Sequence, residues 1–294
     1  MNNPKILIGT LFSGENELEE CIESVKKQTY QNLEHIVIKN LPNKLAHDTL
    51  YKQFMDNSNN FQLFVKLDAD MIFNTNKALE IIVNYFNKYP DLDHMVTLVD
   101  DRYSNTLIQG LHVFSNRASW KQNTENLFVD YNPIIPGKKI VFKQEPSPLV
   151  QHCPNPSAFQ AYHFGVHRAL KAFQPKRVDF NGGQSWNQWK LIKKVHTHFL
   201  QTKNIKLGFC ILGVNHVFEE KIVQNDYAEC KNSLESFFDE FENLELEELN
   251  QLFNSNWNSS LKADFLYLKQ VYTRVPGWYI KRFKRLVNKL MNLF

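Results

Sequence analysis

Several features that would place this 294-residue chain in a well-known class of protein are missing from its sequence. No stretch of about 18 or more apolar residues occurs, so we expect no membrane-spanning helix. Residues 1–8 lack a basic region followed by an apolar core, so no secretory signal is expected. The net charge of +3 is too small to indicate that the chain as a whole binds nucleic acid.

Cysteine is scarce, and its spacing excludes the common paired-cysteine motifs. The four residues Cys21, Cys153, Cys210 and Cys230 form no Cys-x-x-Cys pair. Without a secretory signal, we expect free thiols in a reducing, cytoplasmic compartment. Buried apolar positions are the main expectation for these thiols, and a catalytic cysteine is the alternative.

The first turn of the chain lacks the glycines of a dinucleotide-binding loop. Gly9 and Gly14 do not make Gly-x-Gly-x-x-Gly, and four glutamates up to Glu20 would repel a pyrophosphate at the following helix. A bound nucleotide would therefore have to be neutralised elsewhere in the protein.

Apolar runs and helical periodicities alternate along the first half of the chain. Strands are predicted at 5–9, 33–38, 61–67, 95–99 and 107–114, and helices at 15–28, 44–55 and in the stretch before Pro90. The β-α-β order favours parallel pairing with right-handed crossovers. Further along, six prolines in 120–157 predict irregular structure. Helices are predicted at 159–173 and 189–200, a glycine turn at 178–186, a last strand at 205–214, and helices alone from residue 226.

Two aspartates follow the apolar run 61–67 directly. Asp68 and Asp70 are two residues apart, so in an extended chain their side chains point to the same side. Adjacent carboxylates repel each other unless a cation lies between them, and Mg²⁺ or Mn²⁺ prefers such oxygen ligands. Because open α/β sheets bind ligands beyond their strand ends, this pair is a candidate metal site.

These features together resemble the nucleotide-sugar-dependent glycosyltransferases of the GT-A fold, most closely family 2. The resemblance is carried by Ser24-Val25-x-x-Gln28-Thr29-Tyr30, then Leu33-Glu34-x-Ile36-Val37-Ile38, then Leu67-Asp68-Ala69-Asp70. It covers roughly residues 4–100, and the second half of the chain matches only loosely. The resemblance implies an α/β fold with a mostly parallel sheet flanked by helices, followed by a helical C-terminal extension.

The resemblance also implies roles for individual residues. In this family the Asp-x-Asp motif holds Mn²⁺ or Mg²⁺ against the donor diphosphate. Carried over, Asp70 is a direct metal ligand, and Asp68 contacts the metal or the donor ribose. Thr10 and Phe12 lie where the family lines its base pocket. Asn40 lies where the family has an acidic pair; an amide there can still hydrogen-bond a base edge.

Two more residues, Lys66 and His216, are candidates for this site. Lys66 lies in a predicted buried strand and therefore needs a negative partner, either Asp68 or a donor phosphate. His216 follows the predicted last strand, where GT-A enzymes often supply a histidine to the metal or the diphosphate. An ordinary loop histidine is the alternative.

An inverting transferase also needs a carboxylate base to take the proton from the attacking hydroxyl. The family often places this base after a glycine-rich turn, but the turn at 181–189 contains no acid. Asp179, just before that turn, is the substitute, and Asp100 and Asp101 are the rival candidates.

The C-terminal segment 278–294 has apolar residues on one helical face and five basic residues off it. Such a helix suits an anionic membrane surface, and it also suits docking on the domain itself. The acidic stretch 235–248 could pair with it within the chain or across a dimer, so an oligomer is an open alternative.

The sequence therefore predicts a GT-A domain over 1–225, with a nucleotide-binding half at 1–100 and an acceptor half at 101–225, and a helical extension over 226–294. The predicted activity is metal-dependent transfer of a sugar from a nucleotide-sugar donor to a hydroxyl of a glycan or glycolipid, in surface polysaccharide synthesis. A peripheral position at the inner face of the membrane is expected if the tail binds lipid. The alternatives are a catalytically inactive nucleotide-binding or scaffold module and, less favoured, a nucleotidyltransferase.

Overall fold

The computed structural model describes residues 3–122, 132–173, 182–218, 235 and 238–254. The described strands are β1 Ile6–Phe12, β2 Leu33–Lys39, β3 Leu63–Lys66, β4 Met71–Phe73, β5 Leu92–Asp101, β6 Thr106–Ser115, β7 Lys138–Val141 and β8 Val150–His152. The described helices are α1 Leu18–Lys26, α2 Asn43–Asp56, α3 Ala78–Lys88, α4 Ala158–Phe173, α5 Gly182–Thr202, α6 Ile205–Phe218 and α7 Leu246–Asn254. None of the helices among these residues is long and apolar enough to span a membrane.

The chain divides into two compact units, and the division falls within α4. The described residues up to Gln160 form the first, which we call the sheet unit, and those from Ala161 form the second, which we call the helical unit. The domain limits predicted from the sequence, 1–225 and 226–294, stay a prediction.

The sheet unit contains one eight-stranded sheet of mixed direction. Its strand order is β2-β1-β3-β6-β5-β8-β4, with β7 also paired to β5. Strand β1 is parallel to both β2 and β3, and β5 is parallel to β7 and β8, whereas β3–β6, β5–β6 and β4–β8 are antiparallel. The α/β class is therefore confirmed, and the mostly parallel GT-A sheet is not.

The sheet separates two apolar cores because successive strand residues point to opposite faces. Ile6 and Ile8 of β1 face a core built with α1 and α3, and Leu7 faces a second core built with α2. The second core is aromatic: Trp120 stacks on Tyr51 with ring centroids 4.5 Å apart. This two-sided burial explains why the strands read as nearly continuous apolar runs.

The motif that carries the family resemblance is part of the scaffold. Gln28 is 2% exposed, and its side-chain amide donates to the carbonyls of Ser24 and Thr75, at 3.1 and 2.9 Å. Its side-chain oxygen accepts from the backbone N–H of Leu79 at 3.2 Å. Tyr30 donates its hydroxyl to the carbonyl of Pro4 at 2.6 Å. These bonds connect α1 to the start of α3 and to the entry of β1.

Two predictions for the second half of the chain are wrong. The segment predicted as a last strand, 205–214, is helix α6, and Gly182–Trp186 belong to helix α5 instead of a glycine turn. Residues 207–217 of α6 are buried on every side, so the sequence has no polar face to reveal a helical period. Close packing inside the helical unit excludes side chains at two glycines: a Cβ on Gly165 would lie 1.9 Å from the carbonyl oxygen of Cys210, and one on Gly213 would lie 2.2 Å from that of Tyr162.

Candidate functional site

The end of β5, the end of β8 and the start of β4 lie side by side in the sheet. Asp70 directly precedes β4, His152 ends β8, and Asp101 ends β5. Because β8 pairs with both β4 and β5, His152 lies opposite Met71 on one side and opposite Asp101 on the other. The ladder continues one residue further, where the backbone N–H of Cys153 donates to the carbonyl of Asp70 at 2.8 Å. This pairing brings together side chains that are far apart in the sequence.

The side chains of Asp70, His152 and Cys153 form a compact cluster, which we call the Asp–His–Cys cluster. Asp70 Oδ2 lies 3.3 Å from His152 Nε2 and 3.3 Å from Cys153 Sγ. The third separation, between Cys153 Sγ and His152 Nε2, is 3.5 Å. The three potential ligand atoms are thus close enough to share one metal ion.

Asp101 fixes the orientation of the histidine. It is fully buried, and its Oδ1 accepts from His152 Nδ1 at 2.7 Å. Its Oδ2 accepts from the backbone N–H of Ser104 at 2.9 Å and from the hydroxyl of Ser104. A carboxylate on Nδ1 leaves Nε2 facing Asp70 and Cys153, as in many metal-ligating histidines. Asp101, a rival candidate for the catalytic base, is therefore engaged in holding His152.

The negative groups around His152 dominate its protonation. Burial alone would lower the pKa of the imidazole, but Cys153, Asp70 and Asp101 outweigh burial and raise this pKa well above its usual value. Burial alone would raise the pKa of the Asp70 carboxyl, but His152 and Cys153 outweigh burial and lower this pKa to about 2. Both shifts favour the pairing of an aspartate anion with a protonated imidazole.

Cys153 is held in an unusual backbone conformation. Its φ is 51°, in the left-handed region that residues other than glycine rarely adopt. Such strain persists only where the surroundings impose it, and it often accompanies functional sites. Burial raises the pKa of this thiol well above its usual value, and the amide nitrogen of Gln160 lies 4.0 Å from Sγ.

One oxygen of Asp70 is left over. The side chain of Asp70 is 20% exposed, but its Oδ1 atom is buried and has no hydrogen-bond partner in the described part of the chain. A buried carboxylate oxygen without a partner is costly, and a cation at this edge would satisfy it.

Lys66 and Asp68 form an ion pair beside the cluster, with Lys66 Nζ against Asp68 Oδ1. The expectation that Lys66 has a negative partner is confirmed. Burial opposes the charge on Lys66, but Asp68 and Tyr51 raise its pKa above its usual value. Asp68 has an exposed fraction of 36%, so ligands can reach it, although Lys66 already neutralises much of its charge.

Two glutamates of the loop after β1 face the same region. The Glu17 carboxylate accepts from the backbone N–H of Asn155 at 2.9 Å and from the amide of Gln160 at 2.8 Å. The Glu15 carboxylate accepts from the backbone N–H and hydroxyl of Ser13, each at 2.7 Å. Burial first, and the charge of Asp70 in addition, raise the pKa of both glutamates. Together with the aspartates they make this edge of the sheet strongly acidic, which favours a cation.

The residues predicted to bind the donor lie at the carboxyl ends of β1 and β2. Thr10 is fully buried, and its hydroxyl lies 2.9 Å from His35 Nε2. Phe12 is half-buried beneath Lys39 Nζ, which lies 5.9 Å from its ring centroid. Asn40 is exposed and has a φ of 56°. Phe12 and Asn40 are therefore accessible to a ligand, whereas Thr10 is buried and contacts His35.

His216 does not lie at a strand end, and Asp179 lies outside the described residues. His216 lies inside helix α6 of the helical unit instead of following a strand; its ring is 2% exposed and its Nδ1 lies 3.0 Å from the hydroxyl of Tyr162. The prediction that His216 is a metal ligand rested on a position after a strand, and the structure does not place His216 there. Asp179 and the segment 278–294 lie outside the described residues, so their predicted roles stay predictions.

Sequence reasoning missed the histidine and the cysteine of the cluster. The signal was a two-residue apolar step, Leu149-Val150, followed by His152 and Cys153 within a proline-rich segment. Strand β8 is three residues long, too short for an alternating pattern to stand out. The thiols of Cys21, Cys153 and Cys210 are free and buried, as expected, and Cys230 lies outside the described residues.

Comparisons with known proteins add little to this geometry. No protein-family model matches the chain, and no curated protein matches it. Among solved structures, the crystal structure of A197 from STIV is similar, with 11% sequence identity and a TM-score of 0.31. The similarity covers 38% of this chain and 65% of A197.

Proposed function

We propose that this protein is a metal-dependent glycosyltransferase that moves a sugar from a nucleotide-sugar donor to a hydroxyl of a glycan or glycolipid. The observation that carries the proposal is the acidic strand-end site. Asp68 and Asp70 follow β3, which pairs with the parallel strand β1. Asp70 has a buried oxygen that finds no hydrogen-bond partner in the part of the chain that the structure describes. Open α/β sheets bind nucleotides at such strand ends.

The chemistry of sugar transfer fits these residues. A departing nucleoside diphosphate gains negative charge, and a bound divalent cation would neutralise that charge. The resemblance implies Mn²⁺ or Mg²⁺ for this cation, with Asp70 as a direct ligand. Lys66 supplies a second positive charge at the same edge. Phe12 and Asn40, which ligands can reach at the ends of β1 and β2, would contact the nucleoside.

Proton removal from the acceptor is assigned to Asp179, the carboxylate that the sequence places before the turn at 181–189. An inverting mechanism requires one such base on the acceptor side. The acceptor class, a surface glycan or glycolipid, follows from the basic amphipathic segment 278–294. Flotation with anionic liposomes should decrease when residues 275–294 are removed, and equal flotation would contradict a membrane role for this segment.

The central test is a thermal-shift screen of nucleotide sugars with and without Mn²⁺, followed by transfer assays with the ligands that bind. A ligand that binds only the folded protein raises the melting temperature. Asp70→Asn should abolish the metal-dependent shift and the transfer activity, while the matched variant Asp91→Asn, at an exposed turn, should keep both. Undiminished transfer by Asp70→Asn would refute the proposal.

One observation favours a second candidate, a nucleotide-binding module without catalysis. The ion pair between Lys66 and Asp68 occupies a carboxylate that the family uses for the donor. The same experiments separate the two functions: metal-dependent nucleotide binding without hydrolysis or transfer, across the acceptors tested, would identify the module.

A further inference from the structure

We infer that the Asp–His–Cys cluster is a transition-metal site in which Asp70, His152 and Cys153 are the ligands, and that it takes Zn²⁺ in preference to Mg²⁺ or Mn²⁺. The inference rests on the proposed function because it names the metal and the ligands of that same site. Metal binding can be measured without donor or acceptor, so the two can fail separately.

The geometry of the cluster matches the edges of a coordination tetrahedron. Zinc bonds of about 2.0 Å to nitrogen or oxygen and about 2.3 Å to sulfur, at tetrahedral angles, separate N from O by about 3.3 Å and S from either by about 3.5 Å. The observed separations are 3.3 Å for Asp70 Oδ2 to His152 Nε2 and 3.5 Å for Cys153 Sγ to His152 Nε2. The separation of Cys153 Sγ from Asp70 Oδ2 is 3.3 Å. One ion could bind all three atoms with small side-chain movements.

The charges of the cluster balance those of a divalent ion. The Asp70 carboxylate and the Cys153 thiolate supply two negative charges, and His152 binds as a neutral imidazole through Nε2. Metal binding displaces the thiol proton and the Nε2 proton, which pass to solvent. Asp101 accepts from Nδ1 at 2.7 Å and so keeps the remaining proton on the nitrogen that does not face the metal.

The ligand types decide the metal. Magnesium and manganese prefer all-oxygen surroundings, whereas thiolate and imidazole together favour zinc or cobalt. Asp68, the second acid of the motif, is paired with Lys66 and is not needed to complete the set. Three protein ligands leave one position for water or a phosphate oxygen, which is the pattern of catalytic zinc sites. The other oxygen of the same carboxylate, Asp70 Oδ1, is buried and has no hydrogen-bond partner among the described residues.

The test uses the full chain after removal of metals with a chelator, titrated with Co²⁺ in the absence of nucleotide. We expect one equivalent to bind with the intense visible bands of tetrahedral cobalt and a near-ultraviolet band from thiolate-to-cobalt charge transfer. Zn²⁺ should displace the cobalt stoichiometrically, and an equal concentration of Mn²⁺ or Mg²⁺ should not.

Cys153→Ser should remove the charge-transfer band and weaken cobalt binding at least tenfold, while the matched variant Cys210→Ser, at another buried thiol, should keep both. Asp101→Asn should weaken binding about 10- to 100-fold yet keep the band, because it changes the support of His152 and not the ligands. If Cys153→Ser does not fold, X-ray absorption of the zinc-loaded wild-type protein answers the same question, with one sulfur expected at about 2.3 Å.

Two outcomes overturn the inference, and a third overturns the proposed function alone. Cobalt bound without the charge-transfer band, or zinc without a sulfur neighbour, would show that Cys153 is not a ligand. Failure to bind cobalt and zinc, together with Mn²⁺-dependent nucleotide binding, would refute the inference and leave the proposed function standing. A thiolate-bound metal in a protein that binds no nucleotide sugar would instead refute only the proposed function.

Discussion

Replacing Gln28 with alanine tests whether the motif behind the family resemblance is structural. The substitution removes two side-chain donations, to the carbonyls of Ser24 and Thr75, and one acceptance from the backbone N–H of Leu79. Gln28 is almost fully buried, so water does not readily replace these bonds. Each buried group left without a partner costs about 1 to 3 kcal/mol, and the lost side-chain volume adds a cavity term. We expect Gln28→Ala to lower the free energy of unfolding by about 3 to 5 kcal/mol.

Urea unfolding followed by circular dichroism measures this change, with the slope against urea as a check that the unfolded state is unaltered. Gln53→Ala is the matched control, because Gln53 is an exposed glutamine of helix α2. A surface substitution of this kind should change the unfolding free energy by less than about 0.5 kcal/mol. If Gln28→Ala lost less than about 1 kcal/mol, the structural explanation of the motif would be wrong.

Two further predictions concern buried groups elsewhere. Burial first, and His112 and Lys139 in addition, lower the pKa of His94 to about 3. The neutral His94 ring therefore makes its full contribution to the free energy of unfolding above pH 6.5, and this contribution is lost as the pH falls toward 3. The free-energy advantage of wild type over His94→Leu should shrink by about 2 kcal/mol between pH 7.5 and 5, and a constant difference in urea unfolding would contradict this. Gly165→Ala should lower the melting temperature markedly, because its Cβ would overlap the helix backbone, with an expected cost of about 1 to 3 kcal/mol. Gly208→Ala, whose Cβ would approach side chains at 3.2 Å or more, should be tolerated, and equal effects in a thermal-melt comparison would refute the packing argument.

Most elements of the first 115 residues could be predicted because local pattern and tertiary role agree there, whereas the three-residue strand β4 was not predicted. Strand β1, helix α1 and strand β2 form a local β-α-β unit, and each has a clear apolar face or run. Helix α6 could not be predicted as a helix, since its burial on all sides removes the periodic signal. The bounds of α1 also differ from the predicted 15–28, because the helix runs from Leu18 to Lys26.

The aspartates of the candidate site could be predicted from the sequence, but the histidine and the cysteine could not. Asp68 and Asp70 are adjacent in sequence and follow a strong strand, so their shared position could be recognised from local pattern alone. His152 and Cys153 reach Asp70 through the pairing of β8 with β4, a contact between segments about eighty residues apart that no local pattern encodes. His216 was predicted to follow a strand, but it lies in helix α6. The histidine at a strand end is His152, at the end of the three-residue strand β8 within the proline-rich segment.

The residues that carry the family resemblance and the residues of the Asp–His–Cys cluster have different roles in the structure. Gln28 and Tyr30, two of the residues that carry the resemblance, make hydrogen bonds that hold α1, α3 and β1 together. Ser24 Oγ accepts from the backbone N–H of Phe73 in β4, and none of these side chains contacts the Asp–His–Cys cluster through a hydrogen bond among the described residues. A chain could therefore keep this scaffold while the chemistry at the strand ends changed. The cluster of Asp70 with a thiol and a carboxylate-held imidazole offers nitrogen and sulfur at a site for which the resemblance implies oxygen ligands. The identity of the bound metal, more than the presence of Asp-x-Asp, is thus the property that decides which chemistry this site can support.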